Sequence, residues 1–307
     1  MKRIKKVAVV MGGFSGEREI SLASGKGVAA ALKRQGYTVK TIDVTEDMIA
    51  FVRALTAFKP DVVFNALHGT FGEDGCVQGL LDLMQIPYTH SGAFASPLGM
   101  DKEQTRSVAK KVGIPVANGG LRTKEDMIKK MPKLPYVAKP NADGSSLGVV
   151  IVRTQKEHEE LLQNWGDKDA YKLVEDYIPG RELSVAVLDG KCLGVVEIVP
   201  KTGFYDFKNK YTDGSTIHIV PAPIPQEQTE LISKYAVQIH NALGCRGVSR
   251  SDFRYDDTDP KNPRLIFLEI NTNPGMTPFS LVPDIAKYKK ISYDALVDTL
   301  VKGAECD

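Results

Sequence analysis

Two carboxylates and an amide late in the chain carry the most chemical information. They are Asp252 in Val248-Ser249-Arg250-Ser251-Asp252-Phe253, and Glu269 and Asn271 in Leu268-Glu269-Ile270-Asn271-Thr272-Asn273-Pro274-Gly275. Both stretches read as strands, and alternate residues of a strand share a face. Arg250 then lies on the face of Asp252, and Glu269 on that of Asn271. Ile266, Leu268 and Ile270 fall on the opposite face of the second strand as an apolar anchor. Oxygen donors of this kind suit Mg²⁺, which takes one or two carboxylates and fills its other positions with water and phosphate. The Arg250 guanidinium would steady negative charge on a reacting centre. The plain alternative is a solvated face with a surface Arg–Asp pair.

A candidate phosphate site precedes these strands. Lys139 ends a strand at Lys139-Pro140-Asn141-Ala142-Asp143, and Gly144-Ser145-Ser146-Leu147-Gly148 follows. Small residues, hydroxyls and backbone N–H groups can close over an anion, and Lys supplies a flexible point charge. The competing reading is an ordinary hairpin turn. Gly12-Gly13-Phe14-Ser15-Gly16 also follows a strand, but it fails the G-x-G-x-x-G template. Ser24-Gly25-Lys26-Gly27 resembles part of a P-loop, yet Ile20 stands where its first glycine belongs and a helical pattern surrounds it. What remains of these is a glycine turn feeding a helix N-terminus, with Glu17 placed either to meet an ammonium or to offset the helix dipole.

The elements that must position these residues fall into three regions, 1–90, 91–176 and 177–307. In the first, strands at Val7–Met11, Tyr37–Val44 and Asp61–Leu67 alternate with helices at Ile20–Gln35 and Ala50–Phe58. Short connections between alternating elements imply a parallel sheet with right-handed crossovers. The second reads as a helix at Asp101–Val112, strands at Tyr136–Lys139, Val149–Val152 and Lys172–Glu175, and a helix at Glu157–Asn164. The third has strands at Glu182–Leu188 and Cys192–Pro200 and a long aromatic loop at Phe204–Ser215. A helix at Gln226–Leu243, the two site-bearing strands and a closing helix at Tyr293–Val301 complete it. The fold class is α/β, a Rossmann-like parallel-sheet region followed by two α+β regions.

Composition narrows the function classes. Forty basic against 38 acidic residues give a net charge of only +2 in 307 residues, which argues against a nucleic-acid binder. The four cysteines form no C-x-x-C pair, so neither a zinc site nor a disulfide framework is legible. The basic start is followed by too short an apolar run for a secretory signal, and no stretch approaches a membrane span. A cytoplasmic protein with no membrane partner is expected.

The residues now on the page resemble those of the D-alanine–D-alanine ligases, members of the ATP-grasp superfamily, over almost the whole chain. The blocks that carry the resemblance are Gly12 to Glu19, His68-Gly69-Thr70-Phe71-Gly72-Glu73-Asp74-Gly75, Met100-Asp101-Lys102 and Gly144 to Gly148. Phe204-Tyr205-Asp206 with Lys210-Tyr211, Gly247 to Asp252, Glu269 to Thr277 and Ser280-Leu281-Val282-Pro283 continue it in order.

The resemblance implies ATP as a substrate, with Lys102, Lys139, Ser146 and Lys210 at its phosphates, Glu175 at the adenine and Glu182 at the ribose. Asp252, Glu269 and Asn271 would hold two Mg²⁺ or Mn²⁺ ions. Glu17 would bind the ammonium of a first D-alanine near His68 and link with Ser145 and Tyr211, while Ser280 would bind the carboxylate of a second. Arg250 and the N–H of Gly275 would form the oxyanion site, with Phe204–Ser215 as a lid. The implied product serves peptidoglycan synthesis, and the family implies a homodimer. Tyr211 favours an amine over a hydroxy acid as second substrate; a D-alanine–D-lactate ligase or another ATP-grasp carboxylate–amine ligase is the alternative. A hydride-transferring dehydrogenase and a catalytically dead nucleotide-binding protein are the readings from other classes. The first lacks its fingerprint, and the second would be expected to have lost the metal ligands. The chain departs from the common pattern at His90 (usually glycine), Asn141-Ala142-Asp143, Asp176 and Pro278-Phe279.

Overall fold

The computed structural model describes residues 4–142, 148–166, 170–201 and 216–307. Strand β1 (Lys6–Gly12) carries the apolar run Val7-Ala8-Val9-Val10, fully buried, as a central parallel strand requires. Strands β2 (Thr38–Val44) and β3 (Val62–Asn65) flank it in the order β2-β1-β3, both parallel to it. Helix α1 (Arg18–Arg34) and helix α2 (Met48–Phe58) make the crossovers. The P-loop-like segment Ser24 to Gly27 lies inside α1. Strand β3 stops at Asn65, short of the expected Leu67, because the Asn65 side chain takes over the backbone pairing. Its Oδ1 accepts the Leu67 N–H and its Nδ2 donates to the Gly72 carbonyl.

Three short helices follow: α3 (Cys76–Leu83), α4 (Ala95–Met100) and α5 (Lys102–Lys111). Asp101 starts α5 by accepting the Gln104 N–H, so Lys102 sits at its first position. Strand β4 (Gly119–Arg122), helix α6 (Lys124–Lys129), strands β5 (Tyr136–Lys139) and β6 (Val150–Val152), helix α7 (Gln155–Gln163) and strand β7 (Lys172–Asp176) come next. Their strands form an antiparallel sheet ordered β4-β7-β5-β6. Thr123 and Thr154 open α6 and α7 with reciprocal capping boxes.

The rest of the described chain is strands β8 (Arg181–Leu188), β9 (Lys191–Pro200) and β10 (Thr216–Ile219), helix α8 (Gln226–Ala242), strands β11 (Val248–Asp256) and β12 (Arg264–Asn271), and helices α9 (Leu281–Tyr288) and α10 (Tyr293–Lys302). The five strands pair antiparallel in the order β10-β9-β8-β11-β12.

The apolar packing does not follow chain order. One core joins Val7, Val28, Leu32 and Phe64 of the parallel sheet and α1 to Val196, Ile198, Val248, Ile285, Leu296 and Leu300 from the last third. Helix α5 contributes Ala109 to a second core under the five-stranded sheet, with Ile114, Phe253 and Phe267. The four-stranded sheet keeps a small core of its own around Met127, Tyr136, Leu161 and Trp165. Arg246 clasps the last residues of the chain to the segment after α3, donating to the carbonyls of His90 and Glu305 and pairing with Asp307 at 3.0 Å. His90 itself has φ +71°, which explains why glycine is the common residue there. No helix among the described residues is long and apolar enough to cross a membrane.

Candidate active site

The β11–β12 pair sets Asp252 opposite Glu269 and Arg250 opposite Asn271. Directly opposed residues of an antiparallel pair have Cβ atoms about 5 Å apart, so the four side chains share one space. The Arg–Asp pair that could have been a surface contact is buried: Asp252 is 5% exposed. Arg250 forks onto it, Nε to Oδ1 at 3.0 Å and Nη2 to Oδ2 at 2.8 Å. Ser184, across from Asp252 on β8, donates to Oδ1 at 2.5 Å.

Strict alternation fails on β12, which corrects the expected anchor. The register shifts at Asp252/Phe253, so that Phe253 pairs with Phe267 and Leu268 becomes the extra residue of a bulge. Leu265, Phe267 and Ile270 enter the core, whereas Leu268 lines the same cleft as Glu269. A bulge re-aims a side chain in this way and is common beside functional sites.

That cleft, about 830 Å³ and open to solvent, lies between the four-stranded and five-stranded sheets. Lys102, Lys139, Glu175, Glu182, Asp252 and Glu269 all line it, with Val137, Ile151, Ile178 and Leu268 as apolar walls. Lys102 Nζ stands 3.4 Å from Glu269 Oε2. Glu182 pairs with Arg254, its neighbour across β8–β11, at 3.5 Å. Glu175 is held between two cations, Lys139 Nζ at 2.7 Å and Arg106 Nε at 2.9 Å. The loop after Lys139 connects the antiparallel neighbours β5 and β6, as the hairpin reading required. Its residues Ser145 and Ser146, like Lys210, Tyr211 and the lid Phe204–Ser215, lie outside the described residues.

A second site adjoins the first. Glu17 occupies the N-cap position of α1, but its side chain makes no capping bond and is buried. It turns toward Gly69, where a Cβ would meet Glu17 Oε2 at 2.9 Å; Gly69 has φ +68° besides, so only glycine fits. His68 is buried between Ser24 and Glu73, with Nε2 3.2 Å from Ser24 Oγ and Nδ1 3.3 Å from Glu73 Oε1. Burial pushes the Glu73 carboxyl up, and the nearby Glu17 charge adds to this, while His68 and Arg250 oppose it. Ser24, the partner of His68, also accepts the Met276 N–H, which places this anionic corner against the loop after β12. No role was assigned to Glu73 from its motif; an acidic residue inside the glycine-rich His68–Gly75 loop was the available signal.

The loop after β12 closes the site. Asn271 Oδ1 accepts the Asn273 N–H at 2.7 Å, and Asn273 Nδ2 donates to the Leu67 carbonyl at 2.7 Å. Ser24 accepts the Met276 N–H, and Tyr293 donates to the Met276 carbonyl at 2.5 Å. Ser280, at the N-terminus of α9, is hydrogen-bonded to Thr277, and a Cβ on Gly275 would sit 3.1 Å from its Oγ. The sequence-derived residues thus gather as a cleft set, an anionic corner and a loop, with Arg250 between them; Asn271 sits one step beyond the cleft lining.

The donor chemistry fits a magnesium ion that also holds phosphate. Asp252 spends three of its roughly four lone-pair positions on Arg250 and Ser184, which leaves one. Among the described residues no three His, Cys, Asp or Glu side chains form a complete cage. Mg²⁺ does not need one when substrate oxygens complete its shell.

Comparison with known proteins agrees along the whole chain. Residues 6–59 and 50–91 match the family described as D-ala D-ala ligase N-terminus, and 108–302 match D-ala D-ala ligase C-terminus. A curated D-alanine–D-alanine ligase from Chelativorans sp. (strain BNC1) is 51% identical over 98% of this chain and 98% of its own length. The crystal structure of a D-alanine–D-alanine ligase from Bacillus anthracis complexed with ATP superposes with a TM-score of 0.83 at 31% identity, covering 98% of this chain and 97% of that one. The VanG D-Ala:D-Ser ligase of Enterococcus faecalis gives 0.81 at 28% identity, covering 98% and 99%.

Proposed function

The chain belongs to the D-alanine–D-alanine ligase family, and from that premise we propose that it joins two D-alanines with ATP, through a D-alanyl phosphate. The observation that carries this reading is the cleft that gathers Lys102, Lys139, Asp252 and Glu269, with Arg250 forked onto Asp252 at its edge.

Lys102 and Lys139 meet the phosphates of ATP, Glu175 and Glu182 its base and ribose, and the apolar walls its adenine plane. The Gly-Ser-Ser loop, with Ser146, closes over the phosphates, and Lys210 joins them from the lid. Asp252, Glu269 and Asn271 would hold two divalent ions, Mg²⁺ or Mn²⁺, whose charge would offset that of the triphosphate. Glu17 takes the ammonium of the first D-alanine and fixes its carboxylate in line with the γ-phosphate; Ser145 and Tyr211 complete that contact. His68, steadied by Glu73 and Ser24, walls this subsite. The carboxylate oxygen forms a bond to the γ-phosphorus as the bond to the ADP oxygen breaks. Ser280 and the start of α9 hold the second carboxylate. The second amine, after its ammonium has released a proton to solvent, attacks the acyl carbon, and its next proton leaves with the departing phosphate. Arg250 and the Gly275 N–H stabilise the tetrahedral oxyanion until phosphate leaves. Positioning and charge stabilisation do this work without a protein nucleophile.

In this reading residues 1–90 supply the first amino-acid subsite, 91–176 one wall of the nucleotide cleft and 177–307 the metal and oxyanion groups. The enzyme is cytoplasmic, supplies the dipeptide for peptidoglycan, and is a homodimer. Leu83 and Phe94, 87% and 81% exposed on either side of the segment that Arg246 clasps, support a second copy there. The similarity to a D-Ala:D-Ser ligase keeps another acceptor, D-serine or D-lactate, as the second reading. ADP release with D-alanine, L-alanine, D-serine and D-lactate, with each product identified by mass, tests both. Absence of D-alanyl-D-alanine at saturating ATP and Mg²⁺ would sink the first reading.

A further inference from the structure

The least expected side chain in the molecule is Arg106 on α5. It is 0% exposed, in a class of residue almost never buried unless paired. Its Nη1 meets Glu103 Oε2 at 2.5 Å, its Nη2 donates to the Ala117 carbonyl at 2.7 Å, and its Nε faces Glu175 Oε1 at 2.9 Å. The other oxygen of Glu175, Oε2, faces Lys139 Nζ at 2.7 Å. Two cations therefore share one buried carboxylate, one on each oxygen, at the wall of the nucleotide cleft. They differ in freedom. The Arg106 guanidinium is enclosed and held by hydrogen bonds to Glu103 and the Ala117 carbonyl, with Nε in ion-pair contact with Glu175, whereas Lys139 lines the cleft on a flexible stem.

We propose that Arg106 is the resident counter-ion of Glu175, the positioning residue that lets Lys139 leave that carboxylate for a bound phosphate. This rests on the reading of the cleft as an ATP site. A buried carboxylate that loses its only cation becomes an uncompensated charge, which is strongly unfavourable. With Arg106 on Oε1, Glu175 keeps a partner when the Lys139 ammonium turns to the nucleotide. Without Arg106, Glu175 would hold Lys139 back, and binding would lose the lysine or leave the carboxylate unpaired. Arg106 touches no substrate; its effect passes through Glu175 and Lys139. The same side chain ties α5, which carries Lys102, to β7, so both lysines of the cleft depend on one buried guanidinium.

The distinguishing quantity is the preference for ATP over adenosine, because only ATP calls on Lys139 to move. Dissociation constants for both are measured on the full-length protein with Mg²⁺. Arg106→Met should weaken ATP by at least about tenfold, with adenosine changed less than about threefold. Arg106→Lys, which keeps the charge, should retain most of the preference. Arg106→Met combined with Glu175→Gln, which removes both charges, should restore the ratio of the two constants toward the wild-type value. If Arg106→Met does not fold, Arg106→Gln takes its place, being neutral yet able to donate to the Ala117 carbonyl. Equal weakening of ATP and adenosine, or no rescue of the ratio in the double variant, would overturn the proposal. Wild-type protein that binds ATP but makes no dipeptide would defeat the functional reading while leaving this test in force. Wild-type protein that binds no ATP would defeat both.

Discussion

The two halves of the site treat charge in opposite ways. In the cleft, four carboxylates have a cation at hand: Asp252 with Arg250, Glu269 with Lys102, Glu182 with Arg254, Glu175 with Lys139 and Arg106, while Asp176 at the rim accepts from the Asn118 amide. In the corner formed by Glu17, His68 and Glu73, both carboxylates are buried, and burial first, then the Glu17 charge, drives the Glu73 carboxyl up against the opposing pull of His68. The first is built for a polyanion, which displaces cations from carboxylates already paired. The second offers two buried carboxylates to an incoming ammonium. In the proposed reading a single fold thus sorts an anionic phosphate donor from a zwitterionic amino acid by the sign of the side chains that each subsite presents.

The contrast can be broken most sharply on the nucleotide side. Glu269→Ala removes one of two carboxylates proposed for metal. Metal charge stabilisation is worth several kcal/mol, so turnover should fall on the order of 10³-fold. Dipeptide formation at the wild-type rate, followed by ADP release, would remove Glu269 from the metal site. Arg250→Ala should cost about 10²–10³ in kcat, the usual loss for one oxyanion donor. It also strips Asp252 of its fork, so a kcat that survives while KM for ATP rises would reassign Arg250 to the nucleotide.

On the amino-acid side the expected effects are smaller and fall on KM. Glu17→Gln forfeits a charge-assisted hydrogen bond to the ammonium, about 1.5–3 kcal/mol, or roughly 10–100-fold in KM for D-alanine. KM for ATP should stay put; equal changes in both would mean that the two halves are not separable. The smallest effect concerns pH. His90, behind the corner, is buried, and that lowers its pKa from 6.5 to about 3. The unfolded chain therefore binds this proton first, so stability is complete above pH 6.5 and drains away as pH falls toward 3. The slope from one such group is at most about 1.4 kcal/mol per pH unit. His90→Asn, tolerant of the positive φ, should flatten the acid limb of urea midpoints measured from pH 7 to 4. An unchanged slope would show that His90 is not held neutral.

Much of this was legible because strand alternation and ordered motifs are local signals. The β11 and β12 strands, the parallel β1–β3 sheet and the gathering of Lys102, Lys139, Glu175 and Glu182 could be anticipated. The bulge at Leu268 could not, since nothing in Phe267-Leu268-Glu269 distinguishes an extra residue from a regular one; the pairing with Phe253 decides it. Helix α9 is absent from the expected elements; Pro283 lies in its first turn, where proline breaks no hydrogen bond. Helices α3, α4 and α6 span 8, 6 and 6 residues, too few to show a helical period. Arg106 was lost for another reason. On a helix reading Lys-Glu-Gln-Thr-Arg as a solvated face, only tertiary packing reveals that the arginine points inward.

The shared core of the chain's ends has a mechanical consequence. The parallel sheet, α1 and the last third of the chain are welded by common apolar packing and by the Arg246 clasp, whereas the four-stranded sheet rests on its own small core. The molecule is therefore an anvil and a jaw. Lys102, on α5 against the five-stranded sheet, belongs to the anvil; Lys139 belongs to the jaw. Arg106, reaching from α5 to Glu175 on β7, pins the two together; the nucleotide lysines thus stand on separately packed bodies, while Glu17, His68, Arg250 and Gly275 all stay on the anvil.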